Sequence, residues 1–478
     1  MTIWYFDRLG KMVSRPVAMT SCGHERAQVA DSRFHGHNYS TPASRRIFCD
    51  DCRIRRWITV EAALAESEAD LGLIPTDAAA AIVDASRSGA VDLDGVAEGI
   101  RRTSHSLVAV LSGLQDACAG DAGQYVHYGA TTQDIQDTGQ ALEMRDVLDE
   151  VDSDLTQIVA RLVEVAQAER DTLMIGRTHA RPALPITFGL KVAGWIDELL
   201  RQDERLAEAR RRVLVAQLAG GAGTMAGFGS VGPKLLESFA ARLGLGVPLI
   251  GWHVARDRVA EYVVTLAMLT ATLARIAEEV SMLSRPELAE LGLRFTHGHV
   301  GSSTMPHKRN PESCEQVVVL ARLARSAATL ALEAMIGEHE RDGRSLRLEW
   351  PAVADVSHST LAALRIVGDV LDRLTVDRDH MAEQARRAAD DICSEALMLT
   401  LAAHMGKQRA HGLVYELSQA AKTEGRSLKE AVGGAEEVTV HMGPDEVEAI
   451  FDPGRYLGSA GELVDGAVAA AQEWLTRR

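Results

Sequence analysis

The run Gly301-Ser302-Ser303-Thr304-Met305-Pro306-His307-Lys308-Arg309-Asn310-Pro311 gathers the parts of a proton-abstracting site into one short stretch. Ser302 and Ser303 offer hydroxyls and backbone N–H groups, Lys308 a cation and Asn310 an amide. Converging on one point, such groups stabilise an oxyanion, or a carbanion conjugated to a carboxylate. Gly298 and Gly301 supply the backbone freedom of a mobile loop. The competing reading is structural, because Gly-Ser loops are common before helices and a helix is expected from near Pro311. A serine hydroxyl acts as a base only in a dry pocket beside positive charge; Lys308 and the N-terminus of that helix are suitable sources of the field.

Two other segments carry chemistry. In Gly176-Arg177-Thr178-His179-Ala180-Arg181-Pro182, His179 is the candidate general acid for a leaving group. The alternative is the commoner role of a lone histidine, a surface or capping residue. In His127-Tyr128-Gly129-Ala130-Thr131-Thr132-Gln133-Asp134, the Thr131 and Thr132 hydroxyls and the Gln133 amide are candidate carboxylate ligands. Asp134 is expected to be a helix N-cap.

These three segments lie between long helical patterns. Apolar residues recur at helical spacing over about 135–170, 187–215, 254–290 and 312–338. Each exceeds the usual helix length, which predicts an elongated bundle. Shorter helices are expected over about 57–115 and after about 365, with DPGRYLGSAGELVD (452–465) a turn before the last helix. The expected organisation is an irregular extension over 1–42, an N-terminal helical domain over 43–115, a central long-helix domain over 116–365 carrying the site segments, and a C-terminal helical domain over 366–478.

Composition agrees. Aromatics make up only 4% of the 478 residues while Ala, Leu and Arg are abundant, a balance that favours helices over strands. A formal charge of −16 argues against a general nucleic-acid surface and makes local basic residues near an anionic substrate conspicuous. The longest apolar candidate for a membrane span, Val317–Ile336, is broken by Arg322, Arg325 and Glu333, so no membrane association is expected. Asp7, Arg8, Lys11 and Arg15 leave no room for a signal peptide in the first twenty residues, which makes the cytoplasm the expected location.

The 301–311 run resembles the GSSxMPxKxNP signature of the fumarase/aspartase superfamily at every fixed position, and the resemblance extends from about Phe48 to the C-terminus. It implies an all-α, three-domain fold with a central long-helix bundle, assembled as a homotetramer around a twenty-helix core. It also implies active sites formed by three subunits, a small-molecule dicarboxylate substrate and no cofactor. Ser302 would deprotonate the carbon next to a carboxylate, with Ser303, Met305, Lys308 and Asn310 around the substrate. Glu315 falls where adenylosuccinate lyases have a supporting glutamate. Thr178 and His179 align with the substrate-contacting pair of a GRTHxQP-type segment, in which Arg181 replaces the usual glutamine. Thr131, Thr132 and Gln133 fall in a region similar to GxTSxD, and His105 resembles a second histidine of adenylosuccinate lyases.

The branches of the family are mixed in this chain. Thr178-His179 resembles adenylosuccinate lyase, whereas LPITFGLKVAGW (184–195), LRLEWPAV (346–353) and the 452–465 segment resemble carboxymuconate cycloisomerases, which usually lack a histidine at position 179. The mixture implies elimination from a substituted succinate with release of fumarate. Arg201, Arg341, Arg344 and Arg347 are candidate clamps for carboxylates or a planar nitro group, with solvated helix charges as the alternative. Nitrosuccinate is the preferred substrate. Adenylosuccinate lyase and carboxymuconate cycloisomerase activities are the alternatives, and a helical scaffold is the non-enzymatic one.

Cys22-x-His24, His35-x-His37 and Cys49-x-x-Cys52 contain zinc-ligand residue types. Their gaps match no standard finger, and Phe48-Cys49-Asp50 stands where the family has a Phe-Ser-Asp helix start. No metal is expected; Cys22, His24, Cys49 and Cys52 are the alternative zinc set. Cys118, Cys314 and Cys393 read as buried thiols.

Overall fold

The computed structural model describes residues 2–6, 12–16, 28–294, 304–305 and 308–478. Ser302, Ser303, Cys22 and His24 lie outside the described residues. The extension expected to be irregular contains a two-stranded antiparallel hairpin, β1 (Thr2–Phe6) paired with β2 (Met12–Pro16), then short 3-10 turns at Val29–Asp31 and Gly36–Asn38. Its short strands give too little periodicity to stand out in sequence.

The N-terminal helices are α1 (Pro42–Phe48), α2 (Asp50–Asp70), α3 (Thr76–Ser88), α4 (Leu93–Thr103) and α5 (Val108–Ala117). The bundle follows as α6 (Thr132–Ala168), α7 (Phe188–Val213), α8 (Gly232–Leu243), α9 (Asp257–Leu283), α10 (Glu312–Glu333) and α11 (Gly343–Arg373). Between α6 and α7 stands the hairpin β3 (Leu173–Thr178) and β4 (Arg181–Thr187); β5 (Leu291–Leu293) pairs with β6 (Leu374–Val376).

The long helix α11 is the main correction to the sequence reading. Pro351 lies inside it and cannot donate to the Arg347 carbonyl, so the apolar period there is interrupted by a residue that normally marks an end. Packing overrides that penalty, because Ala352, Val353, Val356, Leu361 and Leu364 are all buried. The α9 and α10 helices stop short of the expected 290 and 338, at Leu283 and Glu333.

One large core joins α2, α3 and the bundle helices. Phe188 and Trp195 meet edge to face at 6.1 Å inside it, and each such buried side chain contributes about 1.5–3 kcal/mol. Close approach of α2 to α6 requires Gly139, where a Cβ would fall 2.6 Å from the Trp57 ring. Among the described residues one helix is long and apolar enough to cross a bilayer. It is α9, not the 317–336 stretch singled out from sequence, and 67% of its apolar window is buried inside the protein.

After β6 come α12 (Arg378–Arg387), α13 (Ala389–Ile392), α14 (Ser394–Met405), α15 (Lys407–Glu424) and α16 (Leu428–Gly433). The chain ends with α17 (Glu436–Thr439), α18 (Pro444–Ile450) and α19 (Ala460–Thr476). The 366–478 stretch buries its apolar side chains in two places. Residues from Ala385 to Phe451 form a second small core joined by Ile175 of β3. Helix α19 instead returns to the main core through Val464, Val468 and Ala471, and Trp474 Nε1 donates to Asp203 Oδ2 at 2.8 Å.

Candidate active site

Among the described residues, the sequence-predicted side chains other than Arg201 fall at the two ends of the bundle. At one end, Thr131 is the N-cap of α6 and its Oγ1 accepts from Arg341 Nη1 at 2.9 Å. Arg341 also donates through Nη2 to the carbonyls of Gly221 (2.7 Å) and Gly220 (3.3 Å). Its Nε is buried without a partner among the described residues. A guanidinium is thus fixed against the first hydroxyl of the segment, and Thr132, half-buried, opens the helix beside it. Tight loops shape this end: Gly129 has φ +69°, and a Cβ there would sit 2.5 Å from the Phe228 ring.

Asp134 is not the N-cap expected from sequence. It is fully buried at the third position of α6 and its carboxylate accepts four hydrogen bonds. Oδ1 takes Ala219 N–H (2.9 Å) and faces His253 Nε2 (2.8 Å), while Oδ2 takes Gly220 N–H (2.9 Å) and Thr131 N–H (3.0 Å). The side chain therefore locks the 219–220 loop, and with it the Arg341 acceptors, onto the start of α6. Gln133 turns inward, with Nε2 on Asp137 Oδ2 (3.0 Å) and the His253 carbonyl (2.9 Å), so its amide donors serve this framework.

Below it Arg256 is fully buried between Asp137 (2.8 and 2.9 Å) and Glu349, to which its Nε donates at 2.7 Å. Burial opposes the charge on Arg256, but the two carboxylates outweigh it and hold the guanidinium more firmly protonated than usual. Burial likewise pushes the Glu349 carboxyl up, against the pull of Arg256.

Sequence reasoning passed over His127 in this same segment. Its Nδ1 lies 2.7 Å from Glu61 Oε1 of α2, and its backbone has φ +64°. Burial lowers the imidazole pKa, yet the hydrogen bond and charge of Glu61 prevail and hold it above the ordinary value. Near it in α2, Glu68 is fully buried with both oxygens unpartnered among the described residues, and burial plus the charge of Glu61 pushes its carboxyl up to about 9. The only sequence signal was acidic residues at apolar positions of a helical period.

His105 belongs to this end too. Its Nδ1 accepts from Leu107 N–H (3.3 Å) and Val108 N–H (3.2 Å) at the start of α5, and the neighbouring Ser106 Oγ accepts from Gln136 Nε2 at 2.6 Å. Of the remaining arginines, Arg344 is bound by Asp342 (2.6 Å) and Glu338 (2.9 Å), and Arg347 is exposed on α11. Arg201 was expected near the pocket. It sits exposed near the middle of α7, paired with Asp197 one turn back, away from both ends.

The other end carries the hairpin and the loop before α10. His179 and Ala180 form the two-residue tip between paired Thr178 and Arg181, both with positive φ (51° and 60°). That is the turn whose twist matches a hairpin, but it usually takes Asn-Gly. Thr178, His179 and Arg181 are consequently exposed. Arg177 braces the strand with a bidentate pair to buried Glu290 (2.6 and 2.9 Å). In the neighbouring loop Lys308 N–H closes a turn onto the Met305 carbonyl at 3.0 Å; Met305 and Lys308 are exposed, and Asn310 half-buried. Glu315 is exposed on the first turn of α10, where Arg373 from the end of α11 donates to Ser313 Oγ at 3.0 Å.

The 37 residues of α6 separate the two ends. At 1.5 Å per residue that is roughly 55 Å, too far for Thr131 and His179 of one chain to meet on one small molecule. Cys49 caps α2 by accepting the Cys52 N–H at 3.3 Å, and no group of three or more metal-ligating side chains occurs among the described residues.

Residues 29–324 match the model of a family described as lyase, and residues 391–467 match that of the adenylosuccinate lyase C-terminus. The chain is 38% identical over 436 residues to N-acetyl-S-(2-succino)cysteine lyase of Dickeya dadantii, covering 91% of this chain and 96% of that protein. It is 37% identical over 440 residues to adenylosuccinate lyase of Methanothermobacter thermautotrophicus, covering 91% and 98%. The crystal structure of a fumarate lyase from Mesorhizobium sp. BNC1 superposes with a TM-score of 0.84 at 36% identity, over 90% of this chain and 98% of that one.

Proposed function

Because the chain belongs to the fumarase/aspartase superfamily and is a lyase, we propose that it cleaves a 2-substituted succinate by β-elimination, releasing fumarate, with nitrosuccinate as its substrate and nitrite as the second product. Ser302 removes the proton next to one carboxylate, and the electron pair moves into that carboxylate as an aci-carboxylate. Lys308 and Asn310 stabilise this dianion. Collapse of the pair into the new double bond expels the substituent. Nitrite departs as a stable anion, so His179 need not deliver a proton for that leaving group, as it would for an amine.

The observation that carries this reading is the Arg341 fork held against Thr131 Oγ1. It provides a fixed, planar cation beside the hydroxyls assigned to carboxylate binding, suited to a carboxylate or an isosteric nitro group. The separation of the two ends supports sites assembled from several chains of a homotetramer. A second leaving group is favoured by the similarity to N-acetyl-S-(2-succino)cysteine lyase: a thiolate, also an anion of moderate basicity.

The test is fumarate formation by the purified protein from nitrosuccinate, N-acetyl-S-(2-succino)cysteine, adenylosuccinate, argininosuccinate, aspartate and malate, with carboxymuconate followed separately for lactone. Fumarate with stoichiometric nitrite is expected. Fumarate only from the thioether or from adenylosuccinate would replace the leaving group; lactone without fumarate would replace elimination by cycloisomerisation. Ser302→Ala is expected to abolish turnover with assembly unchanged.

A further inference from the structure

Cys49 and Cys52 stand outside the site segments, and the function has no use for their thiols. Cys49 is the N-cap of the 21-residue α2, and its Sγ accepts the Cys52 N–H at 3.3 Å. The cap bond places Cys49 Sγ over the first turn, against the backbone of Cys52. The adjoining Cys49 side chain and burial push the Cys52 thiol up. Exposure is graded: Cys49 is exposed and Cys52 half-buried. Cys118 is half-buried, and Cys314 and Cys393 are buried.

We propose that Cys49 and Cys52 form a redox pair that closes to an intrachain disulfide on reaction with a low-molecular-weight disulfide such as oxidised glutathione. The exposed Cys49 thiolate attacks one sulfur of the oxidant, forming a mixed disulfide and releasing one thiolate. The Cys52 thiolate then attacks Cys49 Sγ, closing the ring and expelling the second. Two protein thiols are oxidised and one small disulfide is reduced to two thiols, which take up the two protons. A partner three residues away at a helix start makes the second step intramolecular and fast relative to further mixing. The graded exposure sets the order, because only Cys49 is open to a bulky oxidant. The basic side chains of the following turn bear on the same place: Arg56 favours the Cys52 thiolate by its charge.

The experiment incubates the folded, full-length protein in mixtures of reduced and oxidised glutathione. It then quenches with an alkylating agent and reads intact mass and peptide map. The expected product has lost two hydrogens, carries no glutathione and maps to a Cys49–Cys52 bridge. Excess reduced glutathione should reverse it. Cys52→Ser should instead accumulate a stable glutathione adduct at Cys49, at least ten times the level seen in the unaltered protein. Cys49→Ser keeps a good N-cap, so the helix is retained, and should yield neither bridge nor adduct. Two free thiols throughout, a bridge from either cysteine to Cys22, or equal adduct with and without Cys52 would overturn the proposal.

Discussion

Glu61 Oε1 lies 2.7 Å from His127 Nδ1, a contact between α2 and the loop that leads into α6. Burial opposes the charge on His127, but the hydrogen bond and charge of Glu61 prevail and raise its affinity for a proton in the same segment that carries Thr131. Glu61→Gln should lower the His127 pKa, read by the pH dependence of its ring proton chemical shifts. The stability this pair contributes is full below the unfolded value of about 6.5 and is lost as pH rises through the raised folded value. The variant should be destabilised by on the order of 1–2 kcal/mol in acid and by less in alkali. An identical loss of urea midpoint at both extremes would disprove the charge-dependent part.

Glu68 makes the opposite prediction. Its folded carboxyl titrates at about 9, so folding binds a proton that the unfolded chain has already lost. Its contribution to stability therefore falls as pH rises from about 4.5 toward 9. Glu68→Met replaces an unpartnered buried acid with an apolar side chain of similar length. It should stabilise the protein at pH 8 by about 1–3 kcal/mol, and by less at pH 5, in urea titrations.

Arg341→Lys keeps a charge but loses the fork that spans Thr131 Oγ1 and the Gly221 carbonyl. A fall in kcat/KM of about 100-fold is expected, equivalent to about 2.7 kcal/mol, with little change in melting temperature. Arg344 is already taken by Asp342 and Glu338, so Arg344→Ala should change kcat/KM less than threefold. Equal effects of the two substitutions would remove Arg341 from substrate binding.

The hairpin tip offers a stability test near the site. Ala180 has φ +60°, a conformation that glycine adopts without penalty. Ala180→Gly should therefore stabilise the hairpin by about 1 kcal/mol, seen as slower amide exchange in β3 and β4. Unchanged or faster exchange would show that the turn is not held in this conformation.

Much of the helical frame was legible because apolar side chains recur every three to four residues for up to 37 positions in α6. Pro351 hid α11, since a proline in a helical pattern normally marks its end. The 173–187 hairpin was hidden by its turn: His179-Ala180 carries none of the Asn-Gly chemistry that announces such tips. The candidate site was legible only as segments. Asp134 looked like a cap because its local role is one hydrogen bond, whereas its other partners lie 85 to 119 positions away. Glu61 and His127 lie 66 positions apart, so an acid at an apolar position of the helical period did not disclose its partner. Arg201 shares a helix with the start of α7 but does not adjoin the Thr178-His179 segment of its own chain, because the helix carries each residue steadily away from its start.

The length of α6 ties chemistry to concentration. A helix of 37 residues, roughly 55 Å long, lies between Thr131 and the hairpin that carries His179 in one chain. Under the shared-site proposal, specific activity would then fall on dilution below the dissociation constant of the assembly while every chain stayed folded. Circular dichroism would remain flat across the range in which turnover disappears, and the rate law would report assembly before it reported the substrate.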